Sequence, residues 1–308
     1  MRILVLGGAG FIGGNLIPRL LEDSANHVIV FDMAEPKVSQ AQNRCTFVRG
    51  RFDADCDFAG LTKDIDIIYH LISTSVPGTE QDAVQEMTRN VIPSMKLFQN
   101  AAANGVKHVV FLSSGGTVYG VGDGVGTPNK ESDPPRPINT YGLQKLSIEE
   151  SLRFISRVTP MTHHIIRLSN PYGPGQNPHG PLGLVTKLVY QTLHHETIRI
   201  YGDGSVVRDF IYIDDAVHGI LKIASHGALN DTYNLGTGRG TSVLEVVQTI
   251  SEVLAEPMQV DHIPGRAVDV PVSVLDISKF KQSGFLTAGF ISLREGIRNI
   301  ASFFQNES

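Results

Sequence analysis

Arg2-Ile3-Leu4-Val5-Leu6-Gly7-Gly8-Ala9-Gly10-Phe11-Ile12-Gly13 opens this 308-residue chain and decides its fold. Residues 2–6 form a short apolar run closed by glycine, the pattern of a buried strand. Leu16, Ile17, Leu20 and Leu21 then recur at helical spacing. Glycines at 7, 10 and 13 between a strand and a helix give a tight turn and let the backbone approach a pyrophosphate. They also let the helix pack closely on the strand, with its N-terminus facing the phosphates. A second apolar run, His27–Phe31, ends in Asp32, about 20 residues on, where a carboxylate takes a ribose hydroxyl. Asp32 repels a 2′-phosphate and no arginine follows it directly, so NAD is expected rather than NADP. A glycine triplet alone is a weak signal; this context makes it a dinucleotide site.

Outward from that stretch the pattern repeats. Strands are predicted over Thr46–Val48, Asp66–Leu71 and Lys107–Ser113, with a long helix over Gln81–Asn104. Alternation of this kind gives an α/β protein, a Rossmann-type doubly wound parallel sheet with helices on both faces. Ligands of such sheets bind beyond the carboxyl ends of the strands. Gly7–Gly13, Asp32, Leu71–Thr74 and Ser113–Thr117 all fall at those ends. A Pro/Gly-rich loop follows, and a helix opens with Tyr141-Gly142-Leu143-Gln144-Lys145. Tyr141 and Lys145, four apart, share one helical face. An ammonium beside a phenol stabilises phenolate and equips Tyr141 for proton transfer near neutrality. Small hydroxyl residues at the preceding strand end would orient a substrate alcohol. That is chemistry for oxidising and reducing a carbinol, given a hydride carrier alongside. Tyr-x-x-x-Lys alone arises by chance on many helices, and its weight comes from this position.

Composition excludes several classes. The chain is 41% hydrophobic and 19% charged, ordinary for a globular protein, and its net charge of −5 gives no footprint for nucleic acid or an anionic membrane. No apolar run approaches the ~20 residues of a bilayer span. The first apolar run is cut by Gly7, Gly8 and Gly10, unlike a secretory signal, so a cytoplasmic location is expected. Cys45 and Cys56 are too few for a disulfide framework and read as reduced thiols. His163-His164 and His194-His195 are adjacent pairs without metal-site spacing, so no metal is expected. His70 is expected to pack or hydrogen-bond locally.

With these residues in hand, the whole chain resembles the extended short-chain dehydrogenase/reductases, in their nucleotide-sugar epimerase/dehydratase branch. The carriers are Gly7–Gly13, Tyr69-His70-Leu71, the Ser113–Gly120 block, Tyr141–Lys145, Arg167–Gln176, Tyr201–Asp215, Tyr233–Gly238 and the stretch around Arg266. The resemblance implies an NAD-binding Rossmann domain over 1–170. It implies a smaller C-terminal α/β substrate-binding lobe over 171–308, with some segments returning to the sheet. It makes Tyr141 the catalytic acid/base and has Lys145 hold the nicotinamide ribose. Cofactor contacts are implied for Gly7, Gly10, Phe11, Ile12, Gly13 and Asp32, and further along for Phe52, Leu71, Ser73 and Asn90. Substrate contacts are implied for Asn170 and for Tyr201 near the nucleotide base, with Arg208 and Arg266 clamping the diphosphate.

Two departures matter. Relatives place Ser or Thr where Gly115 stands, so the hydroxyl partner of Tyr141 must come from elsewhere: Thr117 first, Ser114 second. Gly116-Thr117 also occupies the place of the Asp-Glu pair of the sugar 4,6-dehydratases, which argues against dehydration. Gly50-Arg51-Phe52 replaces a Gly-Asp-hydrophobic triplet whose Asp binds the adenine amine, and Arg51 cannot accept that hydrogen bond. Phe52 is left to pack on the adenine.

Seven residues after Arg266, Ser273 is small where an aromatic excludes N-acetyl groups, so UDP-GlcNAc and UDP-GalNAc are expected to fit beside UDP-Glc and UDP-Gal. The activity implied is NAD-dependent 4-epimerisation of a UDP-hexose or UDP-N-acetylhexosamine. One alternative is an NAD(P)H-dependent nucleotide-4-keto-6-deoxyhexose reductase, and one of another class is a non-catalytic nucleotide sensor. A homodimer through the 81–104 helix and the helix after Tyr141 is implied as well.

Overall fold

The apolar runs at the head of the chain become strands because both their faces are covered. In the computed structural model, which describes residues 1–36, 43–79, 82–121, 126–265, 270–286 and 288–307, Ile3, Leu4, Val5 and Leu6 are buried throughout. Such continuous burial is how a strand inside a parallel sheet reads. Each of these side chains contributes roughly 1.5–3 kcal/mol on leaving water.

The strands are β1 (Arg2–Leu6), β2 (His27–Asp32), β3 (Cys45–Arg49), β4 (Ile67–His70), β5 (His108–Ser114) and β6 (Thr162–Leu168). With Asp231–Leu235 they form a seven-stranded sheet in the order Asp231–Leu235, β6, β5, β4, β1, β2, β3. β1 pairs parallel with β2 and with β4, β2 with β3, and β4 with β5. The order therefore reverses between β1 and β4, the switch point at which doubly wound sheets take ligands. The doubly wound parallel sheet expected from the strand pattern is the one observed.

The chain divides into two units. The first is Met1–Ser114, Asn139–Arg167 and Ile220–Tyr233. Its helices are α1 (Phe11–Leu20), α2 (Phe58–Leu61), α3 (Ala83–Glu86), α4 (Ile92–Ala103) and α5 (Thr140–Val158). The helix expected over 81–104 is divided by a π-turn, Met87–Val91, between α3 and α4, and Gln81 lies outside the described residues. The cause is visible in the buried stripe. Glu86, Asn90 and Ser94 are all buried at a spacing of four, which lags behind the α-helical period unless one turn is widened.

The helix opening at Tyr141 begins one residue earlier, at Thr140, because Asn139 caps it. Its Oδ1 accepts the Gly142 N–H at 2.7 Å. The buried stripe of α5 carries Tyr141, Gln144, Lys145, Ile148, Glu149, Leu152 and Ile155. Three- and four-residue steps keep these on one face, and the polar ones cluster at its N-terminal half.

The second unit is Gly115–Ile138, Leu168–Gly219 and Asn234–Ser308. Val207–Tyr212 is its central strand, paired antiparallel with Gly240–Ser242 and parallel with Val272–Ser273 and Asn170–Tyr172. Ile198–Tyr201 and Val260–Ile263 form a separate parallel pair. Asn234 is its buried hub: it accepts from Tyr119 Oη and donates to the carbonyls of Asn129 and Asp276. Among the described residues no helix is long and apolar enough to cross a membrane.

Candidate active site

At the carboxyl ends of the strands in the first unit, the glycine turn is closed by backbone geometry. Gly7 has φ +82°, a left-handed conformation that favours glycine. A Cβ on Gly13 would stand 2.5 Å from the Gly7 carbonyl oxygen and 2.6 Å from the Gly8 Cα. Backbone lies on both sides, so only hydrogen fits there. The turn is held by Gly7 N–H to Phe31 O at 3.0 Å, and Leu71 N–H bonds Leu6 O at 3.0 Å alongside it.

Gly10 is the N-cap of α1 but supplies no side-chain cap, and no acid stands in the first turn. The N–H groups of Phe11, Ile12 and Gly13 at that end are therefore a ready site for an anion. Asp32 at the end of β2 accepts from Ala9 N–H at 3.0 Å with Oδ2 and from Ala34 N–H at 3.2 Å with Oδ1. This cradle of glycine backbone, open helix end and strand-end carboxylate fits a dinucleotide pyrophosphate and its ribose.

Across the switch point, β4 leads into Leu71–Ser75. Ser73 Oγ donates to Ser75 O at 2.8 Å, while Thr74 gives both its N–H and its hydroxyl to Asn90 Oδ1. Asn90 in turn donates to Glu86 Oε2 at 3.1 Å and is 2% exposed. The Asn90 carboxamide thereby braces the Leu71–Ser75 loop.

The Phe52 ring is 3% exposed and packs against Phe58 and His70. Arg51 points outward and lies 3.5 Å from Asp53. His70 packs locally, as expected. Ser94 Oγ donates to Asn90 O, so His70 Nε2 must donate to Ser94. Burial, with the Lys145 charge second, pushes its imidazole down to about 3.

Tyr141 and Lys145 lie together on the buried stripe of α5. Lys145 is 3% exposed. Its Nζ donates to Leu112 O at 3.0 Å and sits 5.0 Å from the Phe111 ring and 5.7 Å from the Tyr141 ring. Burial pulls the ammonium down to about 8, with Glu149 pulling it back up. A cation held out of water beside a phenol is the arrangement that favours phenolate. Ser114, half-buried, ends β5 in the same unit.

The second unit carries the remaining candidates. Thr117 Oγ1 is buried and has no hydrogen-bond partner among the described residues, so its hydroxyl is available to a ligand. Asn170 Nδ2 donates to Asp209 O at 2.9 Å. Asp209, fully buried, accepts from Thr237 N–H and hydroxyl and from Gly238 N–H. Burial raises its pKa against those bonds.

Arg208 Nη1 donates to Val270 O at 2.6 Å, and Ser273 is its register partner on the neighbouring strand, 5% exposed. Tyr201 ends its strand at 45% exposure. Arg266 lies outside the described residues. A cavity of about 670 Å³ is lined by residues of β1, β2, β3, α2 and the segment before α2, among them Arg2, Ile29, Val48 and Cys56, and holds none of the candidate residues. The sequence reading passed over Glu149 and Glu86, both buried. The signal for Glu149 was available: Tyr141, Lys145 and Glu149 repeat at intervals of four.

The comparisons agree with this architecture. The model of the NAD dependent epimerase/dehydratase family matches residues 3–236. The UDP-glucose 4-epimerase of Mycolicibacterium smegmatis is 32% identical over 318 residues, covering 100% of both chains. The crystal structure of UDP-glucose 4-epimerase from Thermotoga maritima with UDP-glucose superposes with a TM-score of 0.89 at 32% identity, covering 100% of this chain and 99% of that one. The UDP-N-acetylglucosamine 4-epimerase of Methanobrevibacter ruminantium, in complex with UDP-N-acetylmuramic acid, gives a TM-score of 0.89 at 27% identity, again covering 100% and 99%.

Proposed function

The chain belongs to the NAD dependent epimerase/dehydratase family, and on that premise we propose that it is an NAD-dependent 4-epimerase of a UDP-sugar, taking UDP-hexoses and UDP-N-acetylhexosamines. The observation that carries this reading is the Lys145 ammonium, buried beside the Tyr141 ring and fixed to the Leu112 carbonyl at 3.0 Å. The Gly7–Gly13 turn, the α1 N-terminus and Asp32 would hold NAD, which when bound would supply the acceptor and donor of the C4 hydride.

The chain's own residues do the rest. Tyr141 Oη takes the proton of the sugar 4-hydroxyl and later returns it, and the Lys145 cation stabilises its phenolate. Thr117 Oγ1, unpartnered among the described residues, hydrogen-bonds the same carbinol, with Ser114 as the second choice. Arg208 and Arg266 bind the diphosphate, an anion suited to guanidinium forks. Asn170 contacts the diphosphate or sugar and Tyr201 the base. The anchored diphosphate lets the 4-keto sugar turn and present its other face. Ser273 leaves room at C2 for an N-acetyl group.

Incubation with UDP-glucose, UDP-N-acetylglucosamine, UDP-glucuronic acid and a dTDP-4-keto-6-deoxy sugar, with products identified by NMR, tests the proposal. Interconversion at C4 without net NADH use is expected. Stoichiometric consumption of NAD(P)H would establish the 4-keto reductase instead, and no turnover of any sugar would favour the sensor.

A homodimer is part of the proposal. Ile92 and Met95 on α4 and Leu143, Phe154 and Val158 on α5 are exposed apolar side chains on two neighbouring helices, suited to the same face of a second copy. Sedimentation of the wild type and Phe154→Glu should give a dimer and a monomer respectively.

A further inference from the structure

Beyond the residues given roles above, the first unit holds one wholly buried carboxylate close to the proton-transfer pair. Glu149 has no exposed surface and stands one helical turn after Lys145 on α5. Both its oxygens are engaged. Oε1 accepts from Ser113 Oγ at 2.5 Å and from Arg167 Nε at 3.1 Å. Oε2 accepts from Arg167 Nη2 at 2.8 Å and Arg153 Nη2 at 3.0 Å. The two-pronged contact with Arg167 ties α5 to β6, and the Ser113 bond ties it to the end of β5. Burial alone would raise this carboxyl, but Arg167, then Ser113 and Arg153, hold it below the usual carboxylate range.

Ser113 directly follows Leu112, whose carbonyl receives the Lys145 ammonium. One end of β5 is thus gripped by Glu149 through a side chain and by Lys145 through the backbone. Arg153 is shared between Glu149 and the exposed Glu150, Arg167 bonds Glu149 with two nitrogens, and Lys145 is the next cation along the helix. Remove the carboxylate and the buried Arg167 and Lys145 cations lose an anion in a site with little water to screen them. The other titratable groups around the pair are His70 on β4 and His163 on β6, pushed by burial to about 3 and about 4 and so neutral at pH 7. Glu86 on α3 reaches the same helix through Ser75 and Gln144.

From this geometry we infer that Glu149 is a positioning residue for the Tyr141–Lys145 pair: its carboxylate fixes the end of β5 on which the Lys145 ammonium rests and supplies that ammonium's counter-charge. The inference rests on the reading of Tyr141 as the proton-transfer group. Without Glu149 the lysine loses its proton at lower pH, and Tyr141 loses the cation that favours its phenolate.

The test needs no substrate. The Tyr141 phenolate is titrated by ultraviolet difference spectroscopy, each protein being compared with its own Tyr141→Phe partner. Glu149→Gln should move phenolate formation up by about one pH unit, and Ser113→Ala, which loosens the strand end but keeps the charge, by about half as much. Glu149→Asp, which keeps the charge, should restore most of the wild-type titration. A folded Glu149→Gln that titrates as wild type overturns the inference. Should that variant fail to fold, Ser113→Ala decides alone, and a wild-type titration there overturns it equally. Absence of sugar turnover by the wild type would sink the epimerase proposal and leave this titration to be read on its own.

Discussion

Asp32 Oδ2 accepts the Ala9 N–H at 3.0 Å, so the carboxylate that would hold a ribose also braces the middle of the glycine turn. One side chain couples cofactor choice to loop shape. Asp32→Ala should therefore weaken NAD binding by about tenfold or more, near 1.4 kcal/mol, and narrow the preference over NADP. Calorimetric titration with both dinucleotides measures it, and unchanged affinities would refute the assignment.

Gly13→Ala probes the same turn sterically. The added Cβ meets the Gly7 oxygen at 2.5 Å and the Gly8 Cα at 2.6 Å, both backbone atoms that cannot swing aside. A loss of about 1–3 kcal/mol in stability is expected, together with lost NAD binding. Gly14→Ala is the control, since nothing lies within 4 Å of a Cβ there. Denaturant melts of the two variants should differ clearly.

Tyr141→Phe removes the phenol oxygen and keeps the ring that lies near Lys145. Turnover should fall roughly 100- to 10,000-fold while NAD binding persists. A variant with wild-type turnover would remove Tyr141 from the chemistry.

Stability should depend on pH through buried imidazoles. His164 Nε2 must donate to the Ala228 carbonyl, so its Nδ1 accepts from His108 Nε2, and His108 Nδ1 accepts from the Thr162 hydroxyl. Burial, with neighbouring His164 and His163 adding to it, takes His108 from 6.5 down to about 3. A histidine depressed in the folded state binds its proton only on unfolding, so its contribution is complete above pH 6.5 and is lost as pH falls from 6.5 towards 3. His70, depressed to about 3, acts in the same sense. Urea midpoints should fall over that window, and His108→Asn should flatten the slope while lowering the neutral-pH stability by about 1–3 kcal/mol.

Ser273→Tyr tests the sugar pocket. With a bulky ring at a site only 5% exposed beside Arg208, turnover of UDP-N-acetylglucosamine should drop at least about tenfold relative to UDP-glucose. Equal losses on both sugars would show that Ser273 does not set the C2 pocket.

The glycine turn and Asp32 were legible in the sequence because backbone sterics and strand-end geometry dictate them at fixed spacing. Tyr141 and Lys145 were legible because a helix puts i and i+4 on one face. The burial of Phe52 and the bonds of Asn90 to Thr74 and Glu86 were not, since a motif gives position along the chain but not which way a side chain turns. Asn90 also stands inside a π-turn, where helical bookkeeping fails. Glu149 escaped notice because acids on helices are by habit assigned to solvent; only the tertiary partners Ser113 and Arg167 reveal it. The short strands of the second unit, some of two or three residues, carry too little periodicity to be read from sequence.

The widened turn at Met87–Val91 has a further consequence. Before and within it, Glu86 and Asn90 point at Ser75 and Thr74; downstream, Leu97, Phe98 and Ala101 point into the hydrophobic core. The two sets of directions belong to two different rotational phases, and one extra residue in the coil is what reconciles them. Deleting a single residue there would not shorten the segment so much as twist its two halves against each other by about 100°, facing the loop with apolar side chains or the core with polar ones. Length therefore matters here for angular reasons, and the Leu71–Ser75 loop is aimed by a phase correction in a helix it does not belong to.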